Sequence, residues 1–361
     1  MPSSKNSARL HYLDWTRGIA ALIMLQGHVF HSFTRMDLRD KGPYVLSQFL
    51  GGLAPAVFLF LTGVTMAFRM DSDERRGLSP GERVLSALSR SRYLLILAVL
   101  FRVQLWVFSL PGSPWTSMLK VDILNCMALA GAAFSVMAIF RTVERVRLCV
   151  GLGVATAAAA PLISQLDWSG VHQLLRNYLA PDYSFFSFFP WAAFFAFGMA
   201  AGSAIRVLKD EQMDRAMQWA ALLGGGLIVG GRYFAEIPFS LYTKSDFWLN
   251  GPELILIKLG VILWILAFAF LWTRYAAGSG WSFLRQLGMT SLLVYWIHIE
   301  LVYGRWLGGW KESLDNTQVV ALACAVIALM LAISLARTSA GKLAAWTASF
   351  RVYASKPDAG Y

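Results

Sequence analysis

Five histidines occur in the 361-residue chain, and two of them lie in apolar stretches far apart in the sequence. His28 ends the stretch "RGIAALIMLQGH", which begins at Arg17, and His298 lies within "SLLVYWIHIELVYG". A neutral imidazole accepts a proton near neutral pH, so a histidine in either place is a candidate general base. The two histidines therefore predict acid–base chemistry inside the apolar part of the chain.

Helix geometry relates His28 to two charged residues near the start of its stretch. At 100° per residue, Arg17 and His28 differ by about 20° and share one helix face, as does Asp14. The rise between Arg17 and His28 is about 16 Å, half of the hydrocarbon thickness of a bilayer. Two other interpretations stay open: Asp14 and Arg17 as a structural ion pair or interfacial anchor, and His28 as a hydrogen-bonded interior residue. His31 is near the predicted outer boundary and fits an interfacial role.

The second histidine lies in a late apolar segment. His298 follows the cytoplasmic Arg285 by thirteen residues, so it reaches a depth similar to that of His28 from a different helix. Tyr295 lies one turn from His298. Glu300 lies about 200° around the same helix and points elsewhere. The sequence leaves open whether His28 or His298 takes the proton.

The composition is that of a polytopic membrane protein. Hydrophobic residues make up 57% of the chain and charged residues 15%, against about 25% charged in soluble domains, and the mean hydropathy is +0.53. The net charge of +11 is scattered over many short loops, which disfavours nucleic-acid binding and fits basic cytoplasmic loops. The spacing of Cys126, Cys149 and Cys324 indicates neither a metal site nor a disulfide framework.

The apolar windows predict an all-α polytopic membrane protein with about ten transmembrane helices. The predicted spans are 13–33, 45–68, 91–110, 121–140, 148–165, 185–205, 216–232, 253–273, 286–304 and 317–336. With both termini in the cytoplasm, 20 of the 32 Lys and Arg residues fall in inside segments and nine in outside loops. We expect a single integral membrane domain, with a helical bundle at 13–336 and a short basic cytoplasmic tail at 337–361. The first apolar run lacks a cleavage site and is expected to be a retained span.

Six arginines occupy the inner loop after the second span, up to the start of the third. The bias towards positive charge on the inside explains the loop as a whole. An anionic cofactor would use the same residues, because Arg pairs with phosphates in a bidentate manner. Arg83, Arg90 and Arg92 are the candidates for such a contact.

Several segments, taken together and in order, resemble the transmembrane acyltransferase superfamily. They are "YLDWTRGIAALIMLQGHVFHSF", which is similar to its Leu-Asp-x-x-Arg-Gly start and its Arg-x10-His pattern, "APAVFLFLTGVTMAF", "VDILNCMALA", "FFPWAAFFAFGMAAG" and "LGMTSLLVYWIH". Within the superfamily, the chain is most similar to bacterial relatives of the heparan-α-glucosaminide N-acetyltransferase catalytic domain. The two arginines of the broader branch are usually three apart, whereas Arg90 and Arg92 are two apart.

The resemblance implies transfer of an acyl group, usually acetyl, from cytoplasmic acyl-CoA to a hydroxyl or amine of an extracytoplasmic glycan or other small polar acceptor. It assigns catalysis to His28, His298, Asp14 and Arg17. It assigns acyl-CoA binding to Arg17, Arg83, Arg90 and Arg92, and acceptor binding to His31, Tyr295, Asp122 and Asn125. It implies no metal and no nucleic acid, and it places the protein in the lipid bilayer of the cell (inner) membrane. Direct attack on the thioester and a histidine-bound acyl intermediate both fit.

Two other classes of function remain open at this point. Interior His, Asp and Arg also serve the proton relays and substrate paths of transporters and flippases, although the chain lacks the two-fold repeats common in transporters. The same polar groups would also lock helices together in a structural subunit. The sequence leaves the acceptor, the acyl chain length and the oligomeric state open, and it is compatible with an oligomer.

Overall fold

The computed structural model describes residues 5–40, 42–237, 241–276 and 280–354, with side chains described between residues 11 and 340 of these ranges. Over these ranges the regular structure is helical, with one isolated β-bridge between Thr34 and Leu314. The α-helices are α1 Lys5–Phe33, α2 Gly42–Gly51, α3 Ala54–Arg75, α4 Pro80–Phe108, α5 Ile123–Ala133, α6 Thr142–Ser164, α7 Gln173–Leu179, α8 Phe188–Val207, α9 Asp210–Glu236, α10 Pro252–Leu271, α11 Phe283–Met289, α12 Ser291–Tyr303 and α13 Asn316–Ala354.

Each predicted span coincides with one helix or with two consecutive helical segments. The span at 45–68 falls on α2 and α3, which are separated at Gly52 and Leu53, and the span at 286–304 falls on α11 and α12. Among the described residues, six helical segments are long and apolar enough to cross a membrane, which indicates a multi-pass protein. They are Gly42–Arg75, Pro80–Phe108, Thr142–Ser164, Phe188–Val207, Pro252–Ala276 and Asn316–Ala340.

The remaining predicted spans fall on helices that are shorter or more polar. Ile123–Ile139 and Ser291–Tyr303 are apolar but have fewer than 18 residues. α1 and α9 are not among the six. α1 carries ionisable side chains along its length, and α9 contains charged residues at its start and several glycines later. The count of ten spans and the cytoplasmic placement of both termini therefore stay predictions.

The chain divides into two compact units, and the division falls within α1. The first unit comprises Met1–Thr16 and Gly52–Gly278, and the second comprises Arg17–Gly51 and Ser279–Tyr361. The prediction of a single membrane domain concerns folding and function, and it stays a prediction.

In the first unit, α3 and α8 cross with their backbones in close contact. A Cβ at Gly63 would overlap the carbonyl oxygen of Phe195, and a Cβ at Gly198 would overlap that of Phe60. Small residues allow this approach, which is the common way for membrane helices to gain packing contacts. The apolar run of α8 is buried along most of its length as a result.

Ion pairs, each with one buried member, join the end of α3 to α6 and α8. The Asp71 carboxylate lies 2.6 Å from Arg206 Nε, and the Glu74 carboxylate lies 3.3 Å from Arg145 Nη2. Arg145 is fully buried, and Thr142 Oγ1 donates a 2.8 Å hydrogen bond to Glu74 Oε2. An unpaired charge at such a depth is costly. The two carboxylates compensate the charges of these arginines and so explain why basic residues are present here, near the predicted inner face.

Hydrogen bonds define the starts of α4 and α5. Ser79 and Glu82 form a capping box, in which the Ser79 amide donates to Glu82 Oε2 at 2.8 Å, and Pro80 occupies the first helical position. Asp122 Oδ1 accepts hydrogen bonds from the amides of Leu124 and Asn125 at 3.0 and 3.1 Å. Asp122 therefore acts as the N-cap of α5.

The second unit consists of the C-terminal part of α1 with α2, α11, α12 and α13. Gln26 and Gln48 connect α1 and α2, since each side-chain amide donates to a backbone carbonyl of the other helix. Gln286 of α11 donates to the Ser334 and Thr338 hydroxyls of α13, at 2.8 and 3.1 Å. These bonds satisfy polar groups that burial would otherwise leave unpaired.

Candidate functional site

The site lies in the second unit, where the end of α1 is fastened beside α12. Ser32 Oγ donates a 2.9 Å hydrogen bond to the Val302 carbonyl. The backbone bridge adds two bonds, from the Arg35 amide to the Leu314 carbonyl and from the Leu314 amide to the Phe33 carbonyl, both at 3.0 Å. These contacts lie one to two turns beyond His28, and they connect the end of α1 to α12 and to the segment that precedes α13.

His28 and His298 meet between these two helices. His28 Nδ1 lies 2.9 Å from His298 Nε2, and the two rings are nearly parallel at 13° with their centroids 5.2 Å apart. His298 is fully buried, and His28 is half-buried. The sequence offers both histidines for the role of general base, and the structure brings them into direct contact.

The hydrogen-bond directions around the pair follow from its partners. His298 Nδ1 lies 2.8 Å from the Val294 carbonyl oxygen, which only accepts, so Nδ1 of His298 carries a proton. In neutral His298 the Nε2 is then an acceptor, and the bond between the rings requires His28 Nδ1–H as its donor. Neutral His28 is left with its lone pair on Nε2. No described residue hydrogen-bonds that atom, so the geometry favours His28 Nε2 as the base and His298 as the residue that orients it.

Aromatic and imidazole side chains surround the pair. The Tyr303 ring meets His28 edge-on with centroids 5.3 Å apart, and Tyr303 Oη lies 3.3 Å from Nδ1 of the exposed His31. The Tyr295 ring meets His298 edge-on at 5.9 Å, as the spacing of one helical turn predicts. Both residues predicted to bind the acceptor from this part of the chain, His31 and Tyr295, are therefore beside the histidine pair.

Arg17 and Asp14 lie earlier on α1. The helix is continuous from Lys5 to Phe33, so the predicted rise of about 16 Å between Arg17 and His28 applies. Both charged residues are half-buried, and each has interactions within the protein. Arg17 belongs to the second unit, whereas Asp14 belongs to the first.

The three predicted arginines of α4 have different surroundings. Arg83 is buried, donates a 3.1 Å hydrogen bond to the Ile139 carbonyl, and lies 3.8 Å from Glu74. A protein carboxylate thus faces Arg83, and the role of Arg83 in binding the donor stays a prediction. The exposed Arg90 stacks on the Tyr93 ring, 5.2 Å from its centroid. Arg92 is exposed and lines an open groove.

The other two predicted acceptor residues, Asp122 and Asn125, belong to the first unit. Asn125 Nδ2 donates to Asp122 Oδ1 at 3.0 Å, and Tyr178 Oη donates to Asn125 Oδ1 at 2.9 Å. Burial, and secondarily the nearby Asp122 carboxylate, raise the pKa of Tyr178, which keeps the phenol protonated as a donor. Asp122 and Asn125 thus act locally at the start of α5, and their role in acceptor binding stays a prediction.

Two features of the site escaped the sequence analysis. Tyr303 contacts both His28 and His31 from the last residue of α12, but nothing in its spacing from His298 marks it. Asp71 and Glu74 pair with Arg206 and Arg145, and Glu74 also lies 3.8 Å from Arg83, a residue that the sequence alone offered to a phosphate. The motif "MDSDER" at the end of an apolar helix was the available signal. Among the described side chains, no group of three or more His, Cys, Asp or Glu is placed to hold a metal ion.

Comparison with known proteins gives one family. The family described as heparan-alpha-glucosaminide N-acetyltransferase, catalytic, matches residues 9–235. His28, Arg17 and the α4 arginines lie within the matched part, whereas His298 and Tyr303 lie beyond it. No curated protein is similar enough to the chain to count as a match.

Proposed function

Because the chain belongs to the heparan-α-glucosaminide N-acetyltransferase catalytic family, a family of membrane N-acetyltransferases, we propose that it transfers an acetyl group from acetyl-CoA to an amine or hydroxyl of an extracytoplasmic glycan or similar polar acceptor. The observation that carries the proposal is the contact of His28 Nδ1 with His298 Nε2 at 2.9 Å. This contact leaves a basic nitrogen on a half-buried imidazole within a membrane-protein scaffold.

The proposed reaction uses His28 Nε2 throughout. As the acceptor nitrogen or oxygen attacks the thioester carbonyl, His28 Nε2 takes the proton from the attacking group. The carbon–sulfur bond then breaks, and the CoA thiolate takes that proton back from the imidazolium. His298 stays neutral and keeps its bonds to Val294 and to His28 Nδ1–H during both steps.

A histidine-bound route would use the same atom as a nucleophile. His28 Nε2 would attack the thioester, releasing CoA, and the acceptor would then attack the acyl-imidazole. The two routes differ in one measurable way, because only the second releases one equivalent of CoA before acceptor is added. A rapid-quench measurement of free CoA distinguishes them.

The donor phosphates require cations, and we propose Arg17 and Arg90 for this role. Arg17 is on the helix that carries His28, and Arg90 is exposed at the predicted cytoplasmic end of the third span. We further propose one membrane domain of ten spans in the cell membrane, with both termini in the cytoplasm. A fluorescent protein and alkaline phosphatase, fused in turn to the C-terminus, test the orientation; phosphatase activity in cells would contradict it.

His28→Asn tests the catalytic proposal directly. The Asn amide is able to donate in place of His28 Nδ1–H, but it offers no base in place of Nε2. We expect kcat for transfer from acetyl-CoA to fall about 10²–10⁴-fold, the usual contribution of a general base. His172→Asn is the matched control, and we expect it to leave transfer unchanged. His172 is the exposed N-cap of α7, a position that Asn also favours. Full activity of folded His28→Asn would refute the proposal.

A further inference from the structure

A groove of about 670 Å³ runs along α4 in the first unit, between that helix, α5 and Tyr178 of α7. From α4 it is lined by Leu85, Leu88, Arg92 and Leu95, among others. These residues recur every three or four positions and so share one helix face. Ten residues of α helix correspond to about 15 Å of groove length.

The walls of the groove are apolar and face away from the protein core. α5 contributes Ala128, Leu129 and Ala132, and the two alanines leave room between the helices. The apolar window of Pro80–Phe108 is only 28% buried, so most of this helix surface is left to the bilayer. Leu85 and Leu95 are 67% and 43% exposed. A chain of methylene groups would make favourable apolar contacts with such a surface.

Arg92 carries the single charge among the residues that line the groove. No described residue forms an ion pair or hydrogen bond with its guanidinium, whereas Arg83, Arg145 and Arg206 each have a carboxylate partner. A cation within a membrane-spanning segment is costly unless an anion compensates it. The groove thus combines an apolar wall with one uncompensated positive charge.

The polar side chains that α5 and α7 contribute to the groove already have partners within the protein. Asn125 and Tyr178 line the groove, but the Tyr178 hydroxyl donates to Asn125 Oδ1, and Asn125 Nδ2 donates to Asp122 Oδ1. Close to Arg92, the exposed Tyr93 ring carries the Arg90 guanidinium, an arrangement typical of the membrane interface. The cation at Arg92 and the apolar walls of the groove therefore correspond to the headgroup and the acyl chain of a lipid.

We propose that this groove binds one anionic phospholipid, with the phosphate at Arg92 and an acyl chain between α4 and α5. Charge complementarity at Arg92 selects the anionic headgroup, and the leucine face contacts the chain. The lipid is a bound partner and is not consumed. The site is independent of the proposed acyl transfer, and it would exist in a protein of any catalytic activity.

The test uses the purified full chain in mixed micelles containing either phosphatidylglycerol or phosphatidylcholine with the same acyl chains. We expect phosphatidylglycerol to raise the thermal unfolding midpoint and to remain bound in native mass spectrometry. Arg92→Gln should weaken its affinity about fivefold, the factor expected for one cation near an anionic headgroup. Arg92→Lys should keep most of the affinity. Arg215→Gln is the matched control, because Arg215 is exposed at the start of another helix and does not line the groove.

Ala132→Phe fills the groove without changing its charge, and we expect it to lose the phosphatidylglycerol effect while keeping the midpoint measured in phosphatidylcholine. If Ala132→Phe does not fold, the comparison of Arg92→Gln with Arg215→Gln is sufficient to test the proposal. Equal responses to the two lipids, or equal losses in Arg92→Gln and Arg215→Gln, would overturn the proposal. The proposal would also be overturned if acetyl-CoA, but not phosphatidylglycerol, stabilised the protein and if this effect required Arg92. The groove would then be a binding site for the acyl donor.

Discussion

Substitution of His298 by Gln and by Leu tests whether His298 is itself the general base or only orients His28. In the Gln variant, the side-chain amide oxygen is able to accept from His28 Nδ1–H in place of the imidazole Nε2. In the Leu variant that acceptor is gone, and the Val294 carbonyl loses its side-chain donor. The volume of the site changes little in either case.

The expected magnitude follows from what each change removes. The bond between His298 and His28 is one buried hydrogen bond between neutral groups, worth ~0.5–1.5 kcal/mol, or a factor of about 2–13 in rate if it acts only in the transition state. Loss of the ring orientation adds to this, and residues that orient a functional imidazole typically contribute about 10–100-fold. We therefore expect kcat to fall about 10–100-fold in His298→Leu and about tenfold or less in His298→Gln.

The assay is thiol release from acetyl-CoA in the presence of acceptor, with kcat and KM determined separately and the unfolding midpoint measured for each variant. KM for acetyl-CoA should stay close to that of the unmodified protein, because His298 only orients its neighbour. If His298 were itself the base, its Gln and Leu variants would be equally inactive and would match His28→Asn. That result would refute the assignment of the base to His28.

Two further predictions concern the packing of the first unit. Gly198→Ala should lower the unfolding midpoint strongly or prevent folding, because the new Cβ would overlap backbone, whereas Gly226→Ala, which meets no atom within 4 Å, should not. Glu74→Gln should destabilise the protein by about 3–5 kcal/mol, because it leaves the buried Arg145 without its carboxylate. The same change at Glu236, in an exposed ion pair, should cost less than about 1 kcal/mol in chemical denaturation. Equal losses of stability in the two glycine variants, or in the two glutamate variants, would contradict the packing described.

Helix positions were largely predictable, because long apolar runs leave the chain few alternatives. The span at 185–205 and the helix Phe188–Val207 nearly coincide, as do 253–273 and Pro252–Leu271. Breaks within a run were not predictable. The span at 286–304 divides at Thr290, whose hydroxyl and that of Ser334 lie 2.5 Å apart. Such a contact between distant residues leaves no trace in local hydropathy.

The candidate site was predictable in its residue types and only partly in its roles. Helix periodicity related Arg17 to His28 on one helix, but it could not pair His28 with His298 across 270 residues of sequence. The direction of the bond between the two rings depends on the Val294 carbonyl, a backbone atom that any residue type supplies. The surroundings of Arg83 were not predictable, because the carboxylate that lies 3.8 Å from it belongs to Glu74 on another helix.

The Val294 carbonyl has a consequence for proton movement. A chain of groups conducts protons only if each member both accepts and gives one up, and a carbonyl oxygen does not give one up. The path from His28 through His298 therefore ends inside α12. A proton taken up by His28 Nε2 has to leave by the same atom, towards whatever molecule is bound there. The histidine pair holds a proton and returns it to the bound molecule, and it cannot conduct protons across the membrane.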